Sequence, residues 1–576
     1  MYWRILCAQD SHSLSVTVKQ SQAFLTGALA RIKRFPTAAA VAVIIVAVTI
    51  ACWRVIATYD ELSHTQDEPA HLSAGLQWWQ EGEYTIETLH PPLARVAIAF
   101  LPYLKGARIP DDGDLWERGL AALWEDGDYQ GVLTAMRLGN LPFFILSLLA
   151  AFLWGRVVGG TWTGVIALCI ASLLPPLLAH AGLATTDMAV TALLPLALLA
   201  FWRWTDNIRS FSAFFLLALT LGLAVLAKFT TFLYFPVGAL VILAWRWRTK
   251  EKTLPRLAEI VSSAALVALG TFLFIWAGYR FSVGTAMSTS PESMARAVDI
   301  VFRWSGPRHD VGTWAANLTV PAPELPAGII MSMKKGHEGH RSYFMGNNGR
   351  YGWVGFFPTA AAVKTPVPVI LLLVAGIAAI ATRRRFRAAG LPLALAAAIV
   401  LVVMPSTINI GVRHIMPAFI FLAVVAATGV RCLLDRGWPG VVAAGILLSW
   451  SALTSARAHP DYLPWFNLLA ADSDPPVLLD SDYDWGQDLS RLSRRLDEIS
   501  IERVNLCWPW TTRLEQHISA DVVRMKPYEM PSGWTAVSIT CIYQGDRREP
   551  FDKYAWVKDI EDYEMVGKTI RLFRLP

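Results

Sequence analysis

Residues 37–57 read TAAAVAVIIVAVTIACWRVIA, a continuous apolar run in which Arg54 is the only charged residue. A helix of about 20 mostly apolar residues is long enough to cross a hydrocarbon core about 30 Å thick. Backbone amide and carbonyl groups find no water within lipid, so they must pair inside the segment. The stretch therefore predicts a membrane-spanning helix.

Similar apolar runs recur along the chain. Its 576 residues are 54% hydrophobic and 17% charged, whereas soluble domains have roughly 45–50% apolar and 25% charged residues. The pattern predicts a polytopic α-helical membrane protein with about eleven spans, at 37–57, 137–157, 161–180, 187–204, 211–227, 229–246, 257–278, 366–382, 389–405, 413–430 and 437–455. Pro175-Pro176 is expected to break the third span. The stretch 93–104 is too short to span and predicts an interfacial segment.

The Lys and Arg residues predict the orientation, because basic loops stay on the cytoplasmic side. They cluster at 31–34, 203–209, 246–252, 383–387 and 431–436, and all these loops fall on one side if the spans are counted correctly. The net charge of +6 therefore indicates topology and not a nucleic-acid partner. We expect a multi-pass protein of a bacterial inner membrane. Its predicted parts are a cytoplasmic segment 1–36, a transmembrane module 37–455 with outer loops 58–136 and 279–365, and an outer-face domain 456–576.

The tail 456–576 has the composition of a water-soluble domain. Four stretches predict strands: Pro476–Asp480, Arg503–Cys507, Trp534–Tyr543 and Thr569–Phe573. Gln487–Ser500 predicts an amphipathic helix with Leu489, Leu492 and Leu496 on one face. Together these elements predict a small α/β domain. Cys507 and Cys541 lie on predicted strands, and the sequence does not decide whether they pair.

An acidic group opens the first outer loop. Asp67 and Glu68 precede Pro69, and a helix from 68 to about 81 would place His71 four residues after Asp67 on the same face. A carboxylate in this position can serve as a general base that takes a proton from a hydroxyl group. The alternative is that Asp67 only caps the helix and Glu68 is only a first-turn acid.

Two further polar positions lie at the outer ends of apolar segments. Asp187 opens the fourth span, where an acid is costly unless it faces protein or water. Its alternative role is the N-cap of that span. His90 precedes Pro91-Pro92, which fix an extended bend at headgroup depth. For His90 the simpler interpretation is a turn.

Four basic positions stand on the outer side, against the positive-inside trend: Lys228, Lys364, Arg413 and His414. Fixed cations at this depth are suited to a lipid phosphate, and Arg can bind phosphate through two N–H groups. The alternative is that these side chains extend to ordinary lipid headgroups. A Gly-rich basic loop at 334–341 predicts a lid over the same region.

An ordered set of motifs resembles the C-type polytopic glycosyltransferases of family 39, which include protein O-mannosyltransferases and lipid A aminoarabinose transferases. The motifs are Asp67-Glu68, His90-Pro91-Pro92-Leu93, Asp187, Tyr343-Phe344-Met345-Gly346, Phe356-Phe357-Pro358, Lys364-Thr365-Pro366, Asn409-Ile410-Gly411-Val412-Arg413-His414 and Asp480-Ser481-Asp482-Tyr483-Asp484-Trp485-Gly486-Gln487-Asp488. They extend from about residue 60 to 490. Asp482 departs from the Asn of the family's SNxDWGQD pattern.

The resemblance implies an inverting hexosyl or pentosyl transfer from a polyprenyl-phosphate sugar. Asp67 matches the family's general base, and Glu68 and Asp187 match the acids that position the acceptor or a divalent metal. Family members differ in metal use, so a metal held by Asp67 and Asp187 is one expectation. On the donor side we expect Arg413, His414, Lys364, Lys228 and His90. His71, Tyr343 and Trp485 are expected at the acceptor or in a lid.

Two other classes of protein share parts of this pattern. A transporter or flippase for a lipid-linked substrate would have many spans, but it predicts internal repeats and a site near the bilayer midplane. A non-catalytic membrane subunit would not explain why the chain carries Asp67, Asp187 and Arg413 at these positions. The sugar and the acceptor stay open, and the acceptor hydroxyl can belong to a protein, a lipid or a cell-wall glycan.

Overall fold

The computed structural model describes residues 36–249, 257–302 and 306–576. The predicted cytoplasmic segment 1–36 lies outside these ranges except for Pro36. The first helices are α1 (Pro36–Ile56), α2 (Glu68–Gln80), α3 (Pro92–Leu104), α4 (Leu115–Leu123), α5 (Tyr129–Gly159), α6 (Thr161–Ala171), α7 (Pro175–Ala181), α8 (Asp187–Asp206), α9 (Phe211–Ala227), α10 (Thr231–Thr249) and α11 (Leu257–Gly278).

The second outer loop carries short elements before the chain returns to the membrane. They are β1 (Val283–Thr285), α12 (Ala286–Thr289), α13 (Pro291–Phe302), α14 (Gly306–Ala316), β2 (Thr319–Pro321), α15 (Glu324–Glu338), β3 (Ser342–Phe344) and β4 (Asn347–Gly349). The remaining membrane helices are α16 (Phe356–Lys364), α17 (Val367–Thr382), α18 (Gly390–Val403), α19 (Met416–Leu434) and α20 (Trp438–Arg457).

A helix is present at each of the eleven predicted spans. Among the described residues, seven helices are long and apolar enough to cross a membrane, and nine if each bent pair counts as one span. The first pair, α6 and α7, bends by 69° at the predicted break before Pro175-Pro176. The second pair, α16 and α17, bends by 110° near Pro366. Proline explains both bends, since it removes a backbone donor and clashes with the preceding turn.

The helices α8 and α19 form the centre of the membrane part. In each, 78% of the span is buried inside the protein, compared with 17% for α1 and α11 at the periphery. Glycines let α17 pass close to α19: a Cβ atom at Gly429 would lie 2.1 Å from the carbonyl oxygen of Leu372. The two central helices begin at Asp187 and just after Arg413, so these polar residues sit at the ends of the most buried spans.

The first outer loop folds into a compact layer of its own. Helix α2 coincides with the helix predicted from residue 68, and α3 is the predicted interfacial segment. Leu72 and Leu76 pack with Ile98, Leu120 and Met136. Because Met136 belongs to α5, this layer rests on the outer end of a long membrane helix.

The tail contains the predicted small sheet domain. Its elements are α21 (Leu489–Glu498), β5 (Arg503–Cys507), α22 (Leu514–His517), β6 (Asp521–Arg524), β7 (Gly533–Ser538), α23 (Ile539–Gln544), β8 (Glu564–Val566) and β9 (Ile570–Leu575). The strand order is β6-β5-β7-β9-β8. Strand β5 is parallel to β6 and β7, and the other pairs are antiparallel. The disulfide Cys507–Cys541 links β5 to α23, with Cα atoms 6.3 Å apart.

Two strand predictions in the tail were wrong. Pro476–Asp480 forms no strand: Val477 accepts a hydrogen bond from the backbone of Met345, and Asp480 opens a 3-10 turn, Asp480–Asp482, with a φ of 54°. Trp534–Tyr543 is a strand only as far as Ser538 and continues as α23. In both places contacts with distant segments replace the expected strand pairing.

The segment Asp480–Asp488 joins the tail to the first outer loop. The backbone amide of Ser63 donates to the carbonyl oxygen of Gln487 at 2.9 Å, and that of Gln66 donates to the carbonyl oxygen of Trp485 at 3.1 Å. The side chain of Gln66 makes two hydrogen bonds with Thr511: Nε2 donates to the hydroxyl oxygen, and Oε1 accepts from the backbone amide. The tail is therefore in place directly beside Asp67.

Candidate functional site

Asp67 and Arg413 form an ion pair at the end of the central helix α19. Asp67 stands directly before α2, yet its side chain makes no capping hydrogen bond. Its carboxylate instead accepts a hydrogen bond of 2.9 Å from Nη1 of Arg413, which lies in the 3-10 turn Val412–Ile415 leading into α19. A purely helix-capping role for Asp67 therefore does not match its geometry.

Asp187 extends this pair into a group of two acids and two cations. It is the first residue of α8 and is almost fully buried. One carboxylate oxygen accepts a hydrogen bond from Nζ of Lys228, and the other lies 3.9 Å from Nη1 of Arg413. The guanidinium of Arg413 therefore lies between the two acids, and each carboxylate has a cation beside it.

The same residues were the predicted metal ligands, and their arrangement does not fit a metal ion. A shared ion would need the space between Asp67 and Asp187 that Nη1 of Arg413 occupies. No group of three or more His, Cys, Asp or Glu side chains suited to a metal occurs within 36–249, 257–302 and 306–576. Metal binding by this pair stays a prediction, and it would require Arg413 to move.

Trp485 of the tail completes the surroundings of Arg413. Its ring is nearly fully buried, and the Cζ atom of Arg413 lies 4.5 Å from the ring centroid. A guanidinium over the face of Trp is favoured by cation–π attraction. Trp485 thus holds one face of Arg413 while Asp67 binds the guanidinium through Nη1.

These residues face a cavity of about 900 Å³. Asp67, His71, Lys228, Arg413 and Trp485 are in its wall, together with His90 and His414. Asp187 lies one residue after the wall residue Thr186 and reaches the cavity through its bond to Lys228. The structure therefore brings most of the predicted site residues to one place.

One side of the cavity is apolar. Phe229, Phe232 and Leu233 at the junction of α9 and α10 line it together with Ile329 and Met333 of α15. Phe232, Leu233 and Met333 are more than 40% exposed. Phe232 and Leu233 belong to α10, and apolar exposure on a membrane helix is compatible with contact to lipid tails. A molecule with a hydrocarbon chain and a charged head would find both surfaces here.

Glu68 lies outside this cavity, although it is adjacent to Asp67 in the sequence. Its side chain is fully buried and forms an ion pair of 3.0 Å with Arg137 of α5. It also accepts hydrogen bonds from the backbone amides of Thr65 and Ala184. This placement gives Glu68 a structural role and does not support the predicted direct role at the acceptor.

Lys364 and Tyr343 also lie outside the cavity wall. The ammonium of Lys364 is buried and donates to the carbonyl oxygens of Leu463 and Trp465 at 2.9 and 2.8 Å, and to that of Asp482. Tyr343 is buried in the tail-domain core. Neither placement supports the predicted contact with donor or acceptor.

The ion pair also sets the charge state of Asp67. Burial raises the pKa of this carboxyl group, but the charge of Arg413 and its hydrogen bond lower the pKa by a larger amount, so that it falls to about 2. Burial and the neighbouring Arg95 hold the pKa of His71 well below its ordinary value. At neutral pH Asp67 is therefore a carboxylate and His71 is a neutral imidazole.

An arginine that was not predicted as a site residue orients His71. Arg95 of α3 donates from Nε to Nδ1 of His71 at 3.0 Å, and it also contacts Glu87 and Tyr84. A charged residue inside the otherwise apolar stretch 93–104 was the available signal. Because Nδ1 is the acceptor, Nε2 of His71 carries the proton.

Further cavity residues that were not predicted as site residues come from the tail and from the predicted basic loop. Asp480 and Arg547 line the cavity and form a salt bridge of 2.8 Å. Lys335 of α15 and His340 belong to the predicted basic loop 334–341 and also line the cavity. The first part of the predicted loop, 334–338, is instead the end of α15, and a lid role for this segment stays a prediction. No local pattern marked Arg547.

Comparisons with known proteins give likenesses of structure. No family model and no curated protein sequence matches the chain. ArnT from Cupriavidus metallidurans bound to undecaprenyl phosphate is 12% identical with a TM-score of 0.46, over 92% of this chain and 97% of that chain. The archaeal oligosaccharyltransferase AglB from Archaeoglobus fulgidus, in complex with an inhibitory peptide and a dolichol-phosphate, is 13% identical with a TM-score of 0.49, over 94% and 74%.

A third solved structure, the Archaeoglobus fulgidus oligosaccharyltransferase in complex with Zn and sulfate, is 11% identical with a TM-score of 0.42, over 88% of this chain and 70% of that chain. These likenesses are likenesses of fold, with TM-scores below 0.5 and identities of 11–13%. At these identities they say nothing about the sugar, the acceptor or a metal in this chain.

Proposed function

We propose that the protein is an inverting glycosyltransferase that moves a hexosyl or pentosyl group from a polyprenyl-phosphate donor to a hydroxyl acceptor. The observation that carries this proposal is the position of the Asp67 carboxylate beside Arg413, with Lys228 close by, in the wall of one cavity. A base and two phosphate-binding cations at one place are what such a transfer requires.

The donor phosphate would bind to Arg413 and Lys228. Arg413 has a spare donor, because its buried Nε has no hydrogen-bond partner among the residues that the structure describes. A buried N–H group without a partner is unfavourable, and a phosphate oxygen would satisfy it. The isoprenoid chain would leave along the apolar wall around Phe232 and Met333.

The transfer itself is a direct displacement at the anomeric carbon. The acceptor oxygen forms a bond to that carbon while the bond from carbon to the donor phosphate oxygen breaks. The hydroxyl proton passes to the Asp67 carboxylate, and the electron pair leaves with the phosphate, where Arg413 and Lys228 stabilise it. A single displacement inverts the configuration at the carbon.

Binding of the donor would also release Asp67 for this task. A carboxylate with a pKa of about 2 holds a proton weakly as long as Arg413 contacts it. A phosphate that attracts Arg413 would weaken the hold on Asp67 and raise the basicity of its carboxylate. Catalysis would thus depend on the donor being in place first.

We propose the outer, periplasmic face as the location of the site. The predicted spans put the long loops and the tail on the side opposite to the basic loops, which stay cytoplasmic. The disulfide Cys507–Cys541 supports this orientation, since disulfides persist in oxidising compartments. The acceptor would then be a hydroxyl group of a protein, a lipid or a glycan outside the cytoplasm.

The test is transfer of labelled sugar from polyprenyl-phosphate donors to membrane acceptors by the purified full-length protein. Asp67→Asn should lower the rate at least ~100-fold, the usual effect of losing a general base. Asp60→Asn is the matched control, because Asp60 is exposed in the same loop and should keep near wild-type activity. Wild-type transfer by a normally folded Asp67→Asn variant would reject the proposal.

A further inference from the structure

Lys364 at the end of α16 and Asp482 of the tail are both buried where the membrane part meets the tail. Lys364 is 2% exposed and Asp482 is 1% exposed. Three backbone carbonyl oxygens, those of Leu463, Trp465 and Asp482, accept the hydrogen bonds of the ammonium group. An ammonium group has three N–H donors, so Lys364 has none left for a phosphate.

The carboxylate of Asp482 binds the turn that carries Arg413. Both of its oxygens accept from the backbone amide of Val412, at 2.9 and 3.1 Å. Val412 is the first residue of the 3-10 turn Val412–Ile415, and Arg413 follows it directly. The first amides of a helical turn have no partner within the turn, so Asp482 satisfies an otherwise unpaired donor.

Other residues of the same tail segment hold the neighbouring atoms. The hydroxyl of Ser481 donates to the carbonyl oxygen of Ile410, and the ring of Trp485 contacts the Arg413 guanidinium. Gly411 has a φ of 152°, and a Cβ atom there would lie 2.3 Å from Oγ of Ser481. The backbone before Arg413 is therefore fitted closely to the tail.

We infer that Asp482 and Lys364 are positioning residues, which fix Arg413 for the donor phosphate through the amide of Val412. This inference rests on the proposed function. Lys364 anchors the backbone of Asp482 through its carbonyl oxygen, while the Asp482 carboxylate fixes the turn through the amide of Val412. Neither residue touches the donor, and both act through Arg413.

A positioning role predicts a selective change in kinetics. A misplacement of about 1 Å at a reacting group can cost about 100-fold in rate. We expect Asp482→Ala to raise the KM for the polyprenyl-phosphate sugar about 10-fold and to lower kcat, while the KM for the acceptor stays unchanged. Asp482→Asn retains an acceptor oxygen for the Val412 amide and should recover most of the donor affinity. Asp472→Asn, at an exposed position of the tail, is the control.

A second variant removes the other end of the same hydrogen bond. Val412→Pro deletes the amide donor at the first position of a helical turn, where proline is tolerated. It should raise the KM for the donor as Asp482→Ala does. It also tests the positioning role if Asp482→Ala does not fold. Binding of sugar-free polyprenyl phosphate, measured by competition, should weaken by the same factor in both variants.

The outcomes separate this inference from the proposed function. Asp67→Asn is assayed in parallel, and an active Asp67→Asn variant would reject the glycosyltransferase proposal itself. If Asp67→Asn is inactive but folded Asp482→Ala or Val412→Pro keeps the wild-type donor KM, only the positioning role is overturned. Equal increases in the KM for donor and acceptor would also overturn it, because they indicate a general structural effect.

Discussion

Arg413 donates a hydrogen bond of 2.9 Å to Asp67, although 346 residues separate them in the chain. The pair joins the first outer loop to the start of the most buried membrane helix. Because Arg413 also lies 3.9 Å from Asp187, one guanidinium serves two acids. A donor phosphate that binds Arg413 would therefore have to compete with Asp67 and Asp187 for the guanidinium.

Replacing Arg413 by Lys should impair donor binding even though the charge is kept. Lys offers a compact charge, whereas the planar guanidinium presents several donors in fixed directions and stacks on Trp485. We expect kcat/KM for the donor to fall about 10- to 100-fold in initial-rate measurements with labelled donor. Arg436→Lys, at the exposed far end of α19, is the control. An unchanged donor kcat/KM would show that Arg413 does not bind the phosphate.

Removal of Lys228 should affect both stability and activity. Lys228→Met would leave the buried carboxylate of Asp187 without its nearest cation, and breaking a buried ion pair from one side costs about 3–5 kcal/mol. Thermal unfolding in detergent should reveal this loss.

The double variant Lys228→Met/Asp187→Asn separates the two effects. It removes the unpaired charge, so the melting temperature should return to near the wild-type value. Sugar transfer should stay low, because a phosphate-binding cation is still missing. Recovery of transfer along with stability would mean that Lys228 and Asp187 only support the fold.

The membrane architecture and part of the site were predictable from the sequence. The spans follow from runs of apolar residues, because transfer into lipid depends mainly on composition and length. Asp187 and Arg413 were recognisable because charges at the ends of apolar spans require a partner, and Asp67 because it stands directly before a predicted helix with His71 on the same face. No knowledge of side-chain packing was needed to expect these residues near one another, because all three were predicted on the same face of the membrane.

The separation of Asp67 from Glu68 was not predictable. Both are acids at the start of α2, and only the distant Arg137 and the amide of Ala184 decide that Glu68 turns into the core. Lys364 is a similar case, because its carbonyl partners come from the tail and leave no local pattern. The missed cavity residue Arg547 likewise depends on how the tail docks.

The neighbours Asp67 and Glu68 should respond in opposite ways to amide substitution. Glu68→Gln removes the charge that balances the fully buried Arg137 and should destabilise the protein by about 3 kcal/mol. Its folded fraction should still transfer sugar. Asp67→Asn should abolish transfer with little change in stability, since the Asp67 side chain is 27% exposed. Melting temperature and activity per folded molecule distinguish the two, and a stable but inactive Glu68→Gln variant would assign Glu68 to the chemistry.

A histidine between the first outer loop and the tail should make stability depend on pH. Burial lowers the pKa of His64 to about 4, although the charge of Glu68 acts in the opposite direction. Its ring contacts the hydroxyl of Tyr129 and the carbonyl oxygen of Thr511. Burial also lowers the pKa of the neighbouring His517 to about 3.

For His64, a pKa below the ordinary value of about 6.5 means that the unfolded chain binds the proton more readily. The stabilising effect is therefore complete above about pH 6.5 and decreases as the pH falls towards 4, by on the order of 3 kcal/mol for this one group. The melting temperature of the purified protein should fall over this range, and His64→Phe should flatten the decrease. His337→Asn changes an exposed histidine of α15 and should leave the profile unaltered. A melting temperature that stays constant between pH 7 and pH 4 in the wild-type protein would contradict the burial of neutral His64 at this junction.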